Sequence, residues 1–307
     1  MEINMIMKII RVIKNPRPTL LRYLNRYASY IKDDKTYIKF KFWLATGHRL
    51  NLKNPKGFCQ KLQWLKLYDR KPIYTQMVDK YAVKQIIRDT IGEKYVIPTI
   101  GVWEKPEDID WDGLPSQFVL KTNHAGGSLG VVVCKDKANF NKTVAIKKLN
   151  ESLALDSYSI IREWPYKDVK RLVFAEKYME DESGELRDFK VMCFGGEPKI
   201  VQVHLGRSEG CHTQDLYDTN WNKLERLNQV GCEISNVFTP KPVCFDEMLE
   251  LSRVLSKGLP QLRVDWYIVN GQLYFGEDTF YDASGLDEFI PYDKELEIGT
   301  WIQLPAL

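Results

Sequence analysis

Two turn dipeptides constrain this chain more than any other feature. Gly195-Gly196 separates the β-type runs Phe189–Phe194 and Lys199–His204, and Asn270-Gly271 separates Leu262–Val269 from Gln272–Phe275. Asn-Gly and Gly-Gly accept the positive φ of a tight turn, so each dipeptide between two strand-like runs predicts an antiparallel hairpin. Further strands are expected at Tyr95–Ile100, around a glycine-containing loop at Phe118–Lys121 and Val131–Val133, and at Leu172–Glu176. Helical stretches are expected at 79–89, 138–155 and 246–257. Strands and helices in this order predict a mixed α/β (α+β) body.

The first 70 residues differ in kind. Ile6, Ile9, Ile10 and Ile13 recur at helical spacing before Asn15-Pro16-Arg17-Pro18 ends the pattern. Leu20, Leu24, Tyr27 and Ile31 form a second stripe after a Thr19 cap, Tyr37, Phe40 and Leu44 a third, and Phe58, Leu62 and Leu65 a fourth. Residues 1–71 hold 17 Lys+Arg against 4 Asp+Glu, whereas the remainder holds 27 against 37. A basic helical region thus precedes an acidic body, with a boundary expected near residue 70. The arm reads as helices packed on the body, or as a contact for anionic lipid or acidic glycan. Nucleic acid is not expected, because no reading motif accompanies the charge.

The 307 residues suffice for two or three lobes. Six cysteines show no CxxC pair, and the interrupted apolar start makes neither a secretory leader nor a membrane span. These features predict a reduced, cytoplasmic protein, with peripheral contact at the inner face of the membrane through the basic region.

Two groups of residues carry candidate chemistry. Lys121 ends a strand and is followed by His124-Ala125-Gly126-Gly127-Ser128-Leu129-Gly130. Such a loop lets backbone N–H groups approach phosphate oxygens while an ammonium supplies charge. It is also an ordinary hairpin end. Asp265 and Glu277 lie on the two arms of the Asn270-Gly271 hairpin, with Arg263 beside Asp265. Two hard carboxylates there suit Mg2+, which binds through one or two carboxylates plus phosphates. The bland reading is that these charges pair with neighbours.

The order Asp79-Lys80, Lys121 with its loop, Leu172 to Tyr178, Asp188-Phe189-Lys190, Arg263-Val264-Asp265 and Glu277 resembles the ATP-grasp superfamily. More narrowly, Phe58 to Arg70, Phe118 to His124 and Tyr274 to Tyr281 resemble the TupA-like, teichuronopeptide-biosynthesis type of ATP-grasp protein, over about Leu52 to Leu304. The resemblance implies an ATP-grasp fold: two lobes containing antiparallel sheets, the smaller at about 95–175 with the glycine loop and the C-terminal one at about 176–307, clamping ATP within a catalytic region 71–307. It also implies ATP and Mg2+, and ligation of an amino acid or amine to a uronic acid carboxylate of a bacterial surface polysaccharide precursor.

Carried across by position, the resemblance makes Lys80 and Lys121 phosphate lysines, Gly126, Gly127 and Ser128 the phosphate loop with His124 beside it, and Glu176, Lys177 and Tyr178 the adenine hinge. Asp188 takes the ribose, while Asp265, Glu277 and Thr279 take the metal. Arg263 steadies the acyl phosphate, and Lys190 and Arg207 serve the γ-phosphate or the substrate carboxylate. Thr279 stands where amide-forming relatives carry Asn, and the helical start replaces their parallel α/β lobe. The alternatives are an ATP-grasp sugar kinase, a glycosyltransferase using Asp108-Ile109-Asp110 as an Asp-x-Asp metal site, and a polysaccharide-binding module.

Overall fold

The structure, a computed structural model, describes residues 15–180, 187–205 and 213–306. Helices come first: α1 (Arg17–Arg26), α2 (Asp34–Thr46), α3 (Phe58–Tyr68), α4 (Ile73–Val78) and α5 (Val83–Thr90). Asp33 starts α2 by accepting a hydrogen bond from the Thr36 N–H at 2.8 Å, and Gly47 ends it in the left-handed conformation that glycine adopts without a Cβ penalty. The helix expected before Asn15 lies outside the described residues.

The second helix departs from expectation. α1 begins after Pro16 with no side-chain cap, because Pro18 in its first turn needs no N–H partner, and it stops at Arg26. Of its expected stripe Leu24 is buried, whereas Leu20 and Tyr27 face solvent; Phe40 of α2 is exposed as well.

Two antiparallel sheets follow. The first has the order β1-β4-β2-β3, from β1 (Thr99–Trp103), β4 (Val173–Lys177), β2 (Phe118–Thr122) and β3 (Val131–Cys134). Helix α6 (Lys142–Leu153) packs on it through Leu149, which shares a small core with Phe118, Leu120 and Val173. A short α7 (Ser157–Ile161) leads back toward β4. Both strands around the glycine loop form as expected, pairing Phe118 with Cys134 and Lys121 with Val131. The strand expected at 95–100 begins only at Thr99, because residues 93–95 form a 3-10 turn.

The second sheet has the order β10-β9-β5-β6-β7. Its strands are β5 (Arg187–Phe194), β6 (Glu197–Leu205), β7 (Thr213–Tyr217), β9 (Gln261–Val269) and β10 (Gln272–Thr279). Both predicted hairpins are present, with Gly195, Gly196, Asn270 and Gly271 all at positive φ. Helix α8 (Phe245–Leu255) covers one face, where Trp266 Nε1 donates to Ser252 Oγ at 2.9 Å. The small pair β8 (Asn228–Gln229) with β11 (Phe289–Ile290) and the last helix α9 (Tyr292–Trp301) complete the described chain. The basic N-terminal helices share one hydrophobic core with this sheet, Tyr37, Phe42 and Phe58 lying in the same cluster as Phe189, Val264 and Trp266. No described helix is long and apolar enough to cross a membrane.

Candidate functional site

Side chains alternate across a strand, so one face of the five-stranded sheet collects every second residue. Phe189, Val191, Val203, Val264 and Trp266 fall on the buried apolar face. Cross-strand register puts Asp188 beside Tyr267 and His204, Lys190 beside Asp265 and Gln202, and Met192 beside Arg263 on the other face.

The hairpin arm β10 reaches that face through an irregularity. Phe275 pairs with Trp266 on the apolar side, and then the register shifts at Gly276 so that Glu277 pairs with Asp265 and Thr279 with Arg263. A regular ladder would have set Glu277 against Val264. One extra residue therefore brings Glu277 and Thr279 to the polar face and turns Asp278 into the apolar side, where it is buried.

Arg263 occupies the middle of the resulting charge array. Its Nε and Nη2 meet the two oxygens of Asp265 at 2.7 and 2.8 Å, a bidentate fork, while Nη1 bonds Asp282 and Nη2 lies 3.6 Å from Glu277. Lys190 bonds Asp265 and sits 2.9 Å from Asp188. Lys80 reaches Glu277 Oε2 at 2.6 Å. Burial would raise the Glu277 carboxyl, but Lys80, Lys190 and Arg263 outweigh it and hold the group well below the usual carboxylate range. At 28% side-chain exposure Glu277 is the array's open edge, whereas Asp265 is at 3%.

Lys121 belongs to a second array on the first sheet. Its ammonium lies 2.5 Å from Glu176 Oε2, and Lys84 of α5 holds Glu176 Oε1 at 2.6 Å while donating to the Ile97 carbonyl. Burial opposes ionisation of Glu176; Lys121 and Lys84 overcome it and lower the carboxyl. The turn at Asp79-Lys80 joins the arrays. The Lys80 N–H donates to the Asn123 carbonyl at 3.0 Å, Asn123 Nδ2 donates to Asp79 at 2.8 Å, and the Lys80 ammonium points at Glu277. Tyr267 stands between them: burial first, then Asp188, Glu277, Asp265 and Glu176, push its phenol well above the usual range.

Other predicted residues divide by setting. Gly126 and Gly127 are exposed, Gly127 at φ +61, and a Cβ on either would meet no atom within 4 Å, so an approaching ligand would find bare backbone. Ser128 is exposed beside them. His124 is buried, and burial, with Arg171 next, pulls its imidazole down to about 4, so the ring is neutral at pH 7. The Lys177 N–H is spent on the Pro98 carbonyl, and Tyr178 lies under Lys135. Glu176 faces the lysines with its carboxylate, and Asp188 joins the Lys190 and Asp265 group. Arg207 lies outside the described residues.

Several residues of the array carried no sequence signal. Asp282 takes Arg263 on one oxygen and Gln202 and Gln229 amides, at 3.2 and 2.7 Å, on the other. It lies five residues beyond Glu277, outside any strand. The segment after it is held from α3: Lys66 Nζ donates to Ser284 O and Oγ, both at 2.8 Å, and Gln63 Nε2 donates to Ser284 O and Gly285 O. These bonds hold Ala283 and Ser284 at φ 45 and 56, a conformation that costs about 1–3 kcal/mol per non-glycine residue. The N-terminal helices thereby brace the partner of Arg263. Lys84 was equally illegible, since nothing in the spacing of the short helix α5 sets its one lysine apart from an ordinary surface cation.

The donors that share the polar face at Glu277, Asp265 and Thr279 are all hard oxygens, the set Mg2+ prefers. Among the described residues no three His, Cys, Asp or Glu side chains form a metal cage. The pair of opposed carboxylates fits a divalent ion, and Asp265 would have to give up a basic partner to hold it.

A family model described as TupA-like ATPgrasp matches residues 60–303. Among solved structures, the chain is similar to the D-alanine–D-alanine ligase of Bacillus anthracis, at 20% identity over 73% of this chain and 66% of that one, TM-score 0.41. The same enzyme from Helicobacter pylori gives 16%, 82%, 69% and 0.44, and the L-amino acid ligase of Bacillus licheniformis gives 12%, 83%, 57% and 0.43, in the same order. The chain thus spans about two thirds of the length of these D-alanine–D-alanine ligases and less of the amino acid ligase. No curated protein matches the chain.

Proposed function

The chain belongs to the TupA-like ATP-grasp family, with the α+β ATP-grasp fold, and from that premise we propose that it is an ATP-dependent carboxylate–amine ligase. The observation that carries the reading is the meeting of Lys80, Lys190 and Arg263 with the opposed carboxylates Asp265 and Glu277, with the Lys121 loop tied alongside through Asn123.

A carboxylate is a poor electrophile. In the proposed reaction the γ-phosphoryl group of ATP passes to a substrate carboxylate oxygen and ADP leaves. An amine nitrogen then attacks the carbonyl carbon, loses a proton, and expels inorganic phosphate. The protein's contribution is alignment and charge neutralisation. Lys80 and Lys121 bind phosphate oxygens, each giving up part of its present ion pair with Glu277 or Glu176. Arg263, fixed between Asp265 and Asp282, keeps its fork in one orientation and steadies the acyl phosphate. Lys190 serves the transferred phosphoryl group from the same face. Asp265, Glu277 and Thr279 would hold Mg2+, which supplies positive charge to the phosphates. The exposed backbone at Gly126, Gly127 and Ser128 closes over them, and Glu176 to Tyr178 border the base with Asp188 toward the ribose.

The acceptor we infer is a uronic acid of a bacterial surface polysaccharide precursor, and the nucleophile an amino acid or amine, in the cytoplasm where ATP is supplied. An ADP-release screen crossing uronic-acid nucleotide sugars with amines, with product masses measured, tests both parts. The expected result is equimolar ADP and phosphate with a product whose mass equals amide condensation. A stable phosphoester formed without amine would overturn ligation in favour of a kinase.

A further inference from the structure

We propose that the outward face of the α1–α2 hairpin docks on an anionic lipid surface. On α1, Leu20, Tyr23 and Tyr27 recur at spacings of three and four and are 42%, 56% and 50% exposed. Tyr30, at 78%, follows in the connecting turn, and on α2 the rings of Phe40 and Trp43 stack at 5.8 Å while both are exposed. The buried sides of these helices and of the turn between them are already occupied by Leu24, Tyr37, Phe42 and, in the turn, Ala28, so the outer rings are surplus to the core.

Charge points to the occupant. Arg22, Arg26, Lys32, Lys35 and Lys39 are exposed around these rings, and none forms an ion pair among the described residues. The nearby acids are committed elsewhere, Asp33 to the start of α2 and Asp34 to Arg70 and Arg162. A second copy of this face would bring like charge against like charge. A soluble polyanion answers the arginines and lysines but offers no apolar depth to Leu20, Phe40 and Trp43. An anionic bilayer offers both: phosphate for the cations and an interfacial zone in which Tyr and Trp rings sit with their polar tips toward water. Since no described helix can span a bilayer, the contact is peripheral. This inference does not depend on the ligase reading.

Flotation of the full chain with phosphatidylcholine vesicles, with and without phosphatidylglycerol, tests it. The chain should float only with phosphatidylglycerol and should be released by salt. Arg22→Glu/Arg26→Glu and Lys35→Glu/Lys39→Glu should each lower the bound fraction roughly tenfold or more. Tyr23→Ser/Tyr27→Ser should lower it with charge unchanged, and Lys147→Glu/Lys148→Glu, the same charge change on exposed α6 residues, should leave it intact. Circular dichroism of each variant separates misfolding from lost contact. No flotation, equal flotation on neutral vesicles, or equal loss in the α6 variant would overturn the proposal. So would a dimer that Tyr23→Ser/Tyr27→Ser dissociates, or heparin binding that tracks the basic variants alone.

Discussion

Glu277 stands directly opposite Asp265 across two neighbouring strands because the ladder slips by one residue at Gly276. The two carboxylates share a face with Arg263 and Lys190, and Lys80 arrives from the seam between the sheets. A single backbone irregularity therefore assembles the acidic half of the candidate site.

Gly276 has little room. A Cβ there would lie 3.0 Å from the Asp265 carbonyl oxygen and 3.2 Å from the Tyr267 ring. Gly276→Val is expected to push Tyr267 aside and disturb the bulge, lowering stability by about 1–3 kcal/mol and abolishing the rise in melting temperature with MgATP. A variant that melts and responds like the parent would separate this bulge from nucleotide binding.

Arg263 and Asp282 should fail unequally. Removing the guanidinium in Arg263→Ala is expected to reduce turnover roughly 10²–10³-fold. Asp282→Asn keeps the cation but weakens one of its two anchors, and is expected to reduce turnover roughly 10–100-fold with nucleotide affinity retained. Equal nucleotide loss in both variants would contradict a role confined to the transferred group.

Lys84 and Lys80 distinguish a structural from a functional lysine. Lys84, 6% exposed, neutralises buried Glu176, and Lys84→Met should cost about 3–5 kcal/mol because it leaves that carboxylate short of a partner. Lys80 pairs with the more exposed Glu277, which keeps Lys190 and Arg263 nearby, so Lys80→Met should cost less stability than Lys84→Met while weakening ATP binding, read by urea unfolding and by titration with nucleotide. The reverse ranking would mean that the seam, not the buried pair, holds the fold.

Stability should fall with rising pH through Glu295. This α9 carboxyl is fully buried and accepts from the Cys59 and Phe289 N–H groups, yet burial, with Glu288 adding to it, raises it to about 7. The folded chain then holds a proton that the unfolded chain has released, so stability declines from about pH 4.5 to about pH 7 and is level above, a change of up to roughly 3 kcal/mol. Glu295→Gln should remove that slope even though its amide nitrogen cannot accept and one of the two backbone hydrogen bonds is lost. Parallel curves for parent and variant between pH 5 and pH 8 would exclude the effect.

Local chemistry made much of the scaffold readable. Gly195-Gly196 and Asn270-Gly271 announced hairpins because few dipeptides tolerate those turn angles, and the apolar runs beside them could only be strands. Lys121 and its glycine loop, and Asp265 with Glu277 on paired arms, were visible for the same reason. The stripe on α1 misled, since helical spacing identifies an apolar face without saying whether anything covers it, and there Leu20 and Tyr27 remain in solvent.

By itself the sequence determined which segments become strands, where they turn, and which residue types are available to a phosphate or a divalent ion, because these follow from backbone sterics and short-range periodicity. Only the tertiary structure decided the pairings: Lys80 with Glu277, Lys84 with Glu176, Arg263 with Asp282, and Lys66 of a basic helix under Ser284. Those contacts join residues 19 to 218 positions apart. They depend on a one-residue slip and on desolvation in a shared core, neither of which leaves a mark in local spacing.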